Sequence, residues 1–93
     1  MTFTVAFKNR RVEKAAKALP RKIKESFVAL LLELEEVGPT RVSWPHYGKL
    51  SGLPKGIDGR HCHLRGGSKP KYVVCWEVLE HGGQEQIEIF YVG

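Results

Sequence analysis

Residues 60–79, RHCHLRGGSKPKYVVCWEVL, predict two β-strands joined by a turn. The first strand, RHCHL, is short, and the second, KYVVCWEVL, is rich in the β-branched and aromatic residues that favour strands. The segment RGGSKP between them has the composition of a turn. A third run, QIEIFYV at residues 86–92, alternates Ile87, Ile89 and Tyr91 with Glu88 and Phe90, and follows a second Gly-Gly turn. Three successive strands linked by short turns predict an antiparallel sheet.

The residues upstream predict one more strand and two helices. Residues 2–7 alternate apolar and polar side chains, which is the period of a strand with one buried face. Residues 8–19 have apolar side chains at helical spacing, and Pro20 limits that basic helix. Residues 21–36 carry a leucine-rich helical stripe that ends before Gly38 and Pro39. The order β-α-α-β-β-β therefore predicts an α+β fold, in which an N-terminal helical hairpin covers one face of an antiparallel sheet.

Composition predicts a single folded domain. The chain has 93 residues, enough for one core, and 42% of them are hydrophobic. No apolar run approaches the roughly 18 residues needed to span a membrane, and the N-terminus lacks the order of a secretory signal. We therefore expect one domain over residues 1–93, a cytoplasmic location and no membrane contact. Cys62 and Cys75 lack the spacing of a disulfide framework and are expected to be reduced.

Charge is segregated along the chain. Residues 1–24 contain eight Lys or Arg and one Glu, residues 25–36 contain four Glu, residues 41–71 contain seven Lys or Arg and one Asp, and residues 72–93 contain four Glu. The net charge is +5. Clustered Lys and Arg gain affinity for phosphate by releasing counterions, so this pattern favours a nucleic acid or an acidic protein as partner over a merely solvated surface.

His61 and His63 are the candidate site residues in the first of these three strands. Because side chains alternate along a strand, His61, His63 and Arg65 are expected on one face, and Cys62 and Leu64 on the face that packs against the helices. A metal site would need further ligands that the spacing does not supply. Two interpretations stay open: solvated structural histidines, or RNA cleavage in which imidazoles transfer protons and cations stabilise the phosphate.

The chain also resembles a known family. The element order, the segment YGKLSG at residues 47–52, the strand pair HCHLRGGSKPKYVVCWEV and the closing IEIFYVG are similar to the RelE/ParE toxin superfamily, and more narrowly to the RelE-type repressors of bacterial toxin–antitoxin systems. The likeness is strongest over residues 47–93. It implies a RelE-like fold and a ribosome-dependent endoribonuclease that cleaves mRNA in the A site and represses translation. It also implies no metal and no cofactor, and a cognate antitoxin, the ribosome and mRNA as partners.

The resemblance implies four catalytic residues in this chain. The family's basic residues on the strand after K-L-x-G match His61, His63 and Arg65. The family's phosphate-stabilising arginine, at the start of the next strand, falls nearest to Lys71, and an alignment shifted by one residue would place Tyr72 there. Relatives continue past the V-G pair with a short tail that carries further site residues, whereas the sequence ends at Gly93. The expected contacts with RNA or the ribosome are Arg10, Arg11, Lys14, Lys17, Lys49, Arg60 and Lys69.

Two other functions remain open from the sequence. ParE-type relatives share the fold and inhibit DNA gyrase, and a catalytically disabled RelE-like protein would only bind RNA or antitoxin. The titratable side chains of His61 and His63 favour the endoribonuclease. Codon preference and oligomeric state are not predicted.

Overall fold

A computed structural model describes residues 3–66 and 72–93 of the chain. Its elements are β1 (Thr4–Phe7), α1 (Arg10–Lys17), α2 (Arg21–Glu36), β2 (Gly48–Lys49), β3 (Asp58–His63), β4 (Val73–His81) and β5 (Gln84–Val92). The described strands form one sheet in the order β1-β5-β4-β3-β2. The α+β architecture predicted from the sequence is confirmed, and the short strand β2 adds an edge that the sequence pattern does not predict.

The prediction of an antiparallel sheet is wrong for one pair of strands. β2, β3, β4 and β5 pair antiparallel, but β1 pairs parallel with β5, so the sheet is mixed. The parallel pairing follows from the path of the chain. β1 runs opposite to α2, as shown by the hydrogen bond from the Phe3 amide to the Glu35 carbonyl at 2.6 Å and by Phe7 against Phe27. The later strands then bring β5 back beside β1 in the same direction.

Both helices begin and end where local chemistry allows. Asn9 caps α1, because its side-chain oxygen accepts a hydrogen bond from the Val12 amide at 3.0 Å. Pro20 precedes α2, which ends at Glu36 before Gly38, a residue with φ of 116° that favours glycine. No described helix is long and apolar enough to cross a membrane.

The core lies between the helices and one face of the sheet. Its fully buried side chains include Trp76, Leu30, Leu34, Ile87, Ile89, Val74 and Cys62. Trp76 donates a hydrogen bond from its indole nitrogen to the Pro39 carbonyl at 3.2 Å, so the loop after α2 is attached to the centre of the sheet. The opposite face of the sheet has no described helix against it, and we call it the open face.

A β-bulge changes the alternation near the end of β5. Cys75 pairs with Tyr91, whereas the next residue, Trp76, pairs with Ile89, so Phe90 is an extra residue opposite β4. Ile89 and Val92 are therefore both buried, and the side chain of Tyr91 is 49% exposed. Strict alternation would have placed Tyr91 with Ile87 and Ile89.

The basic start of α2 and the Glu-rich segments lie at opposite ends of the fold. β3 and β5 end, and β4 begins, at what we call the histidine end, where His63 pairs with Val73 and Val73 with Gly93. The start of α2 reaches this end, because the Arg65 amide donates to Ser26 Oγ at 2.8 Å. Arg21, Lys22 and Lys24 therefore lie toward it. The last turn of α2 and the β4–β5 turn, both rich in Glu, lie at the other end.

Candidate active site on the open sheet face

The open face carries the two predicted histidines. His61 and His63 are half-buried on this face of β3, while Cys62 and Leu64 are buried against the helices, so the alternation predicted for this strand is confirmed. On the neighbouring strand β4, Val73 pairs with His63 and Cys75 pairs with His61. Each imidazole is therefore attached to a strand held by its neighbours on both sides.

A third histidine joins this pair from the loop before β2. The ring centroids of His46 and His63 are 4.2 Å apart, with 32° between the ring planes. The backbone brings them together, because the His63 amide donates to the Pro45 carbonyl at 2.8 Å and so extends the β2–β3 pairing by two residues. His46 has φ of 55°, an unusual conformation for a residue with a side chain. Such conformations concentrate at functional sites.

From the sequence, His46 is expected in a loop that flanks this face, but it is not among the predicted site residues. The register that pairs Gly48 with His61 is the one that sets His46 opposite His63. β2 is only two residues long, which is too short for any periodicity to reveal it.

His61 packs against a glycine of β2. A Cβ atom on Gly48 would lie 3.4 Å from Nε2 of His61, so the imidazole rests against the backbone of β2. Glycine at this position lets the ring lie close to the edge of the sheet. A larger residue at position 48 would push against the His61 ring.

Arg65 does not lie with the histidines, in contrast to the prediction. β3 ends at His63, and strand alternation no longer applies two residues later. The Arg65 guanidinium lies over the ring of Trp44, 4.3 Å from its centroid, and donates to the Ser43 carbonyl at 2.9 Å. Because Ser26, which accepts from the Arg65 amide, belongs to α2, Arg65 is turned toward the helical layer.

Trp44 anchors this region, as its position beside Pro45 suggests. It is buried, and its indole nitrogen donates to Glu33 Oε1 at 2.9 Å. Arg41 donates to the same oxygen at 3.0 Å. The hydrogen bonds from Trp44 and Arg41 hold the pKa of Glu33 below its ordinary value, against the opposing effect of burial. The loop that carries His46 is therefore attached to α2.

Arg60 is buried, so it cannot make the predicted contact with RNA. The Arg60 side chain is 11% exposed, on the face that packs against the helices. It donates to both carboxylate oxygens of Asp58, at 3.1 and 2.9 Å, and to the hydroxyl oxygens of Thr40 at 2.7 Å and Tyr47 at 3.3 Å. The hydrogen bonds with Asp58 raise the pKa of Arg60 and lower that of Asp58. Arg60 connects β3 to the loop of residues 40–47.

The other predicted cations lie in different parts of the chain. Lys69 and Lys71 lie outside the described residues. Lys49 is exposed on β2, where it pairs with Arg60 and lies beside Asp58, on the opposite face of the sheet from the histidines. The predicted contacts on the first helix are all exposed side chains of α1, namely Arg10, Arg11, Lys14 and Lys17.

Neither metal nor thiolate chemistry has support in the described part of the chain. Residues 3–66 and 72–93 contain no group of three or more side chains arranged to hold a metal ion. Burial raises the pKa of Cys62 to about 12 and also raises that of Cys75. Both thiols are therefore protonated near neutral pH and are poor nucleophiles.

The arrangement suits proton transfer next to an anion. Neighbouring imidazoles can serve as a base and an acid, and the basic start of α2 lies at the same end of the molecule, in the layer on the other face of the sheet. The comparisons with known proteins add no relative. No family model, no curated protein and no solved structure matches this chain.

Proposed function

We propose that this chain is the toxin of a bacterial type II toxin–antitoxin system, a RelE-type endoribonuclease that cleaves mRNA on the ribosome and so represses translation. The observation that carries the proposal is the cluster of His46, His61 and His63 on the open face. The resemblance of residues 47–93 to RelE-type proteins supplies the substrate. The proposed partners are the ribosome, mRNA and a cognate antitoxin, and the proposed location is the cytoplasm.

The proposed reaction needs only proton transfer and charge stabilisation. One imidazole of the cluster removes the proton from a ribose 2′-hydroxyl, and that oxygen attacks the adjacent phosphorus. A second imidazole, in its protonated form, donates a proton to the departing 5′-oxygen. The products are a 2′,3′-cyclic phosphate and a free 5′-hydroxyl, and neither a metal nor an oxidant enters the balance.

The roles of the cations follow from their positions. The negative charge that builds on the phosphate is stabilised by cations near the site. Lys69 and Lys71 are the candidates from the resemblance, since Lys49 pairs with Arg60 and lies beside Asp58, on the other face of the sheet from the histidines. Arg65, stacked on Trp44, positions the loop that carries His46 rather than contacting the phosphate. Arg60 has the same kind of positioning role.

Primer extension on mRNA from a translation reaction tests the proposal. The parent protein is expected to create new 5′ ends within translated codons, and only while ribosomes translate the message. His63→Ala should reduce the yield of these ends by about 10²- to 10⁴-fold, the usual contribution of a general acid or base. Leu32→Ala, which truncates an exposed side chain on α2, is the matched control and should cleave like the parent.

Other outcomes of these experiments would contradict the proposal. A parent protein that creates no ends dependent on translation overturns the proposal. If that protein instead inhibits supercoiling by DNA gyrase, the ParE-type function replaces it. Cleavage that continues at the parent rate after substitution of both His61 and His63 by Ala would remove these residues from the mechanism.

A further inference from the structure

The outward face of α2 carries exposed apolar side chains at its middle. Val28 and Leu32 lie about one helical turn apart and are 48% and 54% exposed. Phe27, Leu30 and Leu34 are buried in the core, so Val28 and Leu32 lie on the side of the helix turned away from the sheet. The outward side of an amphipathic helix is ordinarily polar. This apolar pair is therefore a candidate contact surface.

Charge changes sign along the same face, on either side of the apolar pair. Lys24 lies four residues before Val28. Glu35 lies three residues after Leu32. These spacings bring all four side chains to one side of the helix. Measured from the midpoint of Val28 and Leu32, the two charged residues lie about 8–9 Å away in opposite directions along the axis. The order along the face is therefore basic, apolar, acidic, with nearly equal spacing.

Lys24 and Glu35 have no partner of opposite charge in the described chain. Neither forms an ion pair within residues 3–66 and 72–93. They cannot pair with each other, because they lie about 16 Å apart along the helix. The neighbouring charges on this face do have partners, since Arg21 lies 4.0 Å from Glu25. Lys24 and Glu35 are therefore the charges that a partner molecule would meet.

A second copy of α2, running antiparallel, complements this face at every position. A two-fold axis through the midpoint places Val28 of each copy against Leu32 of the other. The same axis places Lys24 of each copy against Glu35 of the other. The arrangement forms two identical ion pairs around one apolar contact. Parallel helices would instead place like charges together.

Two shallow grooves border the face and can receive side chains of the second copy. One groove lies beside Lys24 and Val28. The other lies between α2 and β1, beside Leu31 and Glu35. Packed helices interdigitate in this way, with the ridges of one helix in the grooves of the other.

The charge order also argues against other occupants of this face. A nucleic acid or an anionic lipid surface would meet the carboxylates of Glu35 and Glu36 at one end, and like charges repel. A uniformly basic partner would meet Lys24 at the other end. A second copy supplies both signs at the required positions because it has the same sequence.

We propose that two copies of this chain associate by antiparallel packing of their α2 helices around Val28 and Leu32. The inference goes beyond the proposed function and does not depend on it. His61 and His63 lie on the opposite face of the sheet, so each copy keeps a complete and open site, and cleavage does not require the pairing.

The association is expected to be weak. One pair of helices buries less than the roughly 1,200–2,000 Å² of a stable complex. The net charge of +5 on each copy adds long-range repulsion. We therefore expect a dimer that forms at about 0.1–1 mM.

Analytical ultracentrifugation of the full chain at low salt measures this association. The parent mass should rise from that of one chain toward that of two as the concentration reaches about 1 mM. Lys24→Glu and Glu35→Lys each place like charges at both ion pairs and should weaken the association by about tenfold or more. Lys22→Glu is the matched control for Lys24→Glu, because it changes the net charge equally on the same helix but lies off this face. It should associate like the parent.

A mixture of the two single variants tests the two-fold arrangement. A Lys24→Glu copy and a Glu35→Lys copy have complementary charges at both ion pairs. Their equimolar mixture should associate within about threefold of the parent, although each variant alone does not. The double variant Lys24→Glu/Glu35→Lys should recover association in the same way.

The other outcomes overturn the inference. A parent that keeps the mass of one chain up to about 1 mM excludes the dimer. Association that Lys24→Glu leaves unchanged, or that the mixture of variants fails to restore, shows that another surface makes the contact. None of these measurements involves RNA. A parent that cleaves mRNA but never associates therefore overturns the dimer and keeps the enzyme, and a parent that associates as described supports the dimer whether or not it cleaves.

Discussion

Replacing Asp58 by Ala is expected to destabilise the fold through the arginine that Asp58 leaves behind. In the native protein the Arg60 guanidinium, 11% exposed, donates two charge-assisted hydrogen bonds to the Asp58 carboxylate, at 3.1 and 2.9 Å. Removing one partner of a buried ion pair typically costs about 3–5 kcal/mol. Asp58 is itself 34% exposed, and Thr40 and Tyr47 remain as acceptors, so the smaller figure of about 2–3 kcal/mol is expected.

The loss should be measurable by heat and by denaturant. For a domain of this size, 1 kcal/mol corresponds to about 4–8 °C in Tm, so a loss of about 2–3 kcal/mol in Asp58→Ala should lower Tm by roughly 8–24 °C. Urea unfolding should show a lower midpoint with an unchanged slope. Asp58→Asn, which keeps one acceptor oxygen, should lose less, and Glu80→Ala, at an exposed position of β4, should stay within about 0.5 kcal/mol of the parent.

The same pair determines how stability depends on acid. Because the hydrogen bonds from Arg60 lower the pKa of Asp58 from its ordinary value of 3.8, the folded state binds the proton less readily than the unfolded state. The stabilisation is therefore present above about pH 4 and is lost as the pH falls through the folded pKa. Asp58→Ala should remove part of this acid dependence. A Tm within about 2 °C of the parent at pH 7, or an unchanged acid limb, would refute the reasoning about a buried pair.

Three further predictions concern the site and the surface. His46→Ala should lower cleavage by about 10-fold or more while Tm changes little, because His46 is exposed and contacts His63; cleavage at the parent rate would restrict the chemistry to β3. Cys62 and Cys75 should resist alkylation by iodoacetamide at neutral pH until urea unfolds the chain, since burial raises both pKa values, and rapid labelling of the native protein would contradict their placement. Replacing the four α1 cations together by neutral residues should weaken co-sedimentation with ribosomes and reduce the salt dependence of that binding; the residues are Arg10, Arg11, Lys14 and Lys17. A salt dependence equal to that of the parent would contradict this prediction.

Local sequence pattern is sufficient to predict the helices and the face of β3 on which each side chain lies. Residues 21–36 are predicted as a helix and form α2 with those bounds, because an apolar stripe, a preceding proline and a following glycine all act within a few residues. His61 and His63 are correctly assigned to the open face because alternation is a property of any extended strand. The contrast between basic and acidic segments is likewise a property of the amino-acid order alone.

Pairing between distant segments determines the features of the fold that the sequence does not predict. The parallel contact of β1 with β5, the two-residue strand β2 and the bulge at Phe90 depend on segments that are distant in sequence, so no local periodicity encodes them. The roles of the arginines change for the same reason. Arg60 bonds to Thr40 and Tyr47 inside the fold, and Arg65 stacks on Trp44, because tertiary packing supplies partners that a count of charges does not reveal. His46 and Tyr91 reach the open face only through that register, and so the sequence specifies the chemical groups of the site while the tertiary structure determines which of them meet.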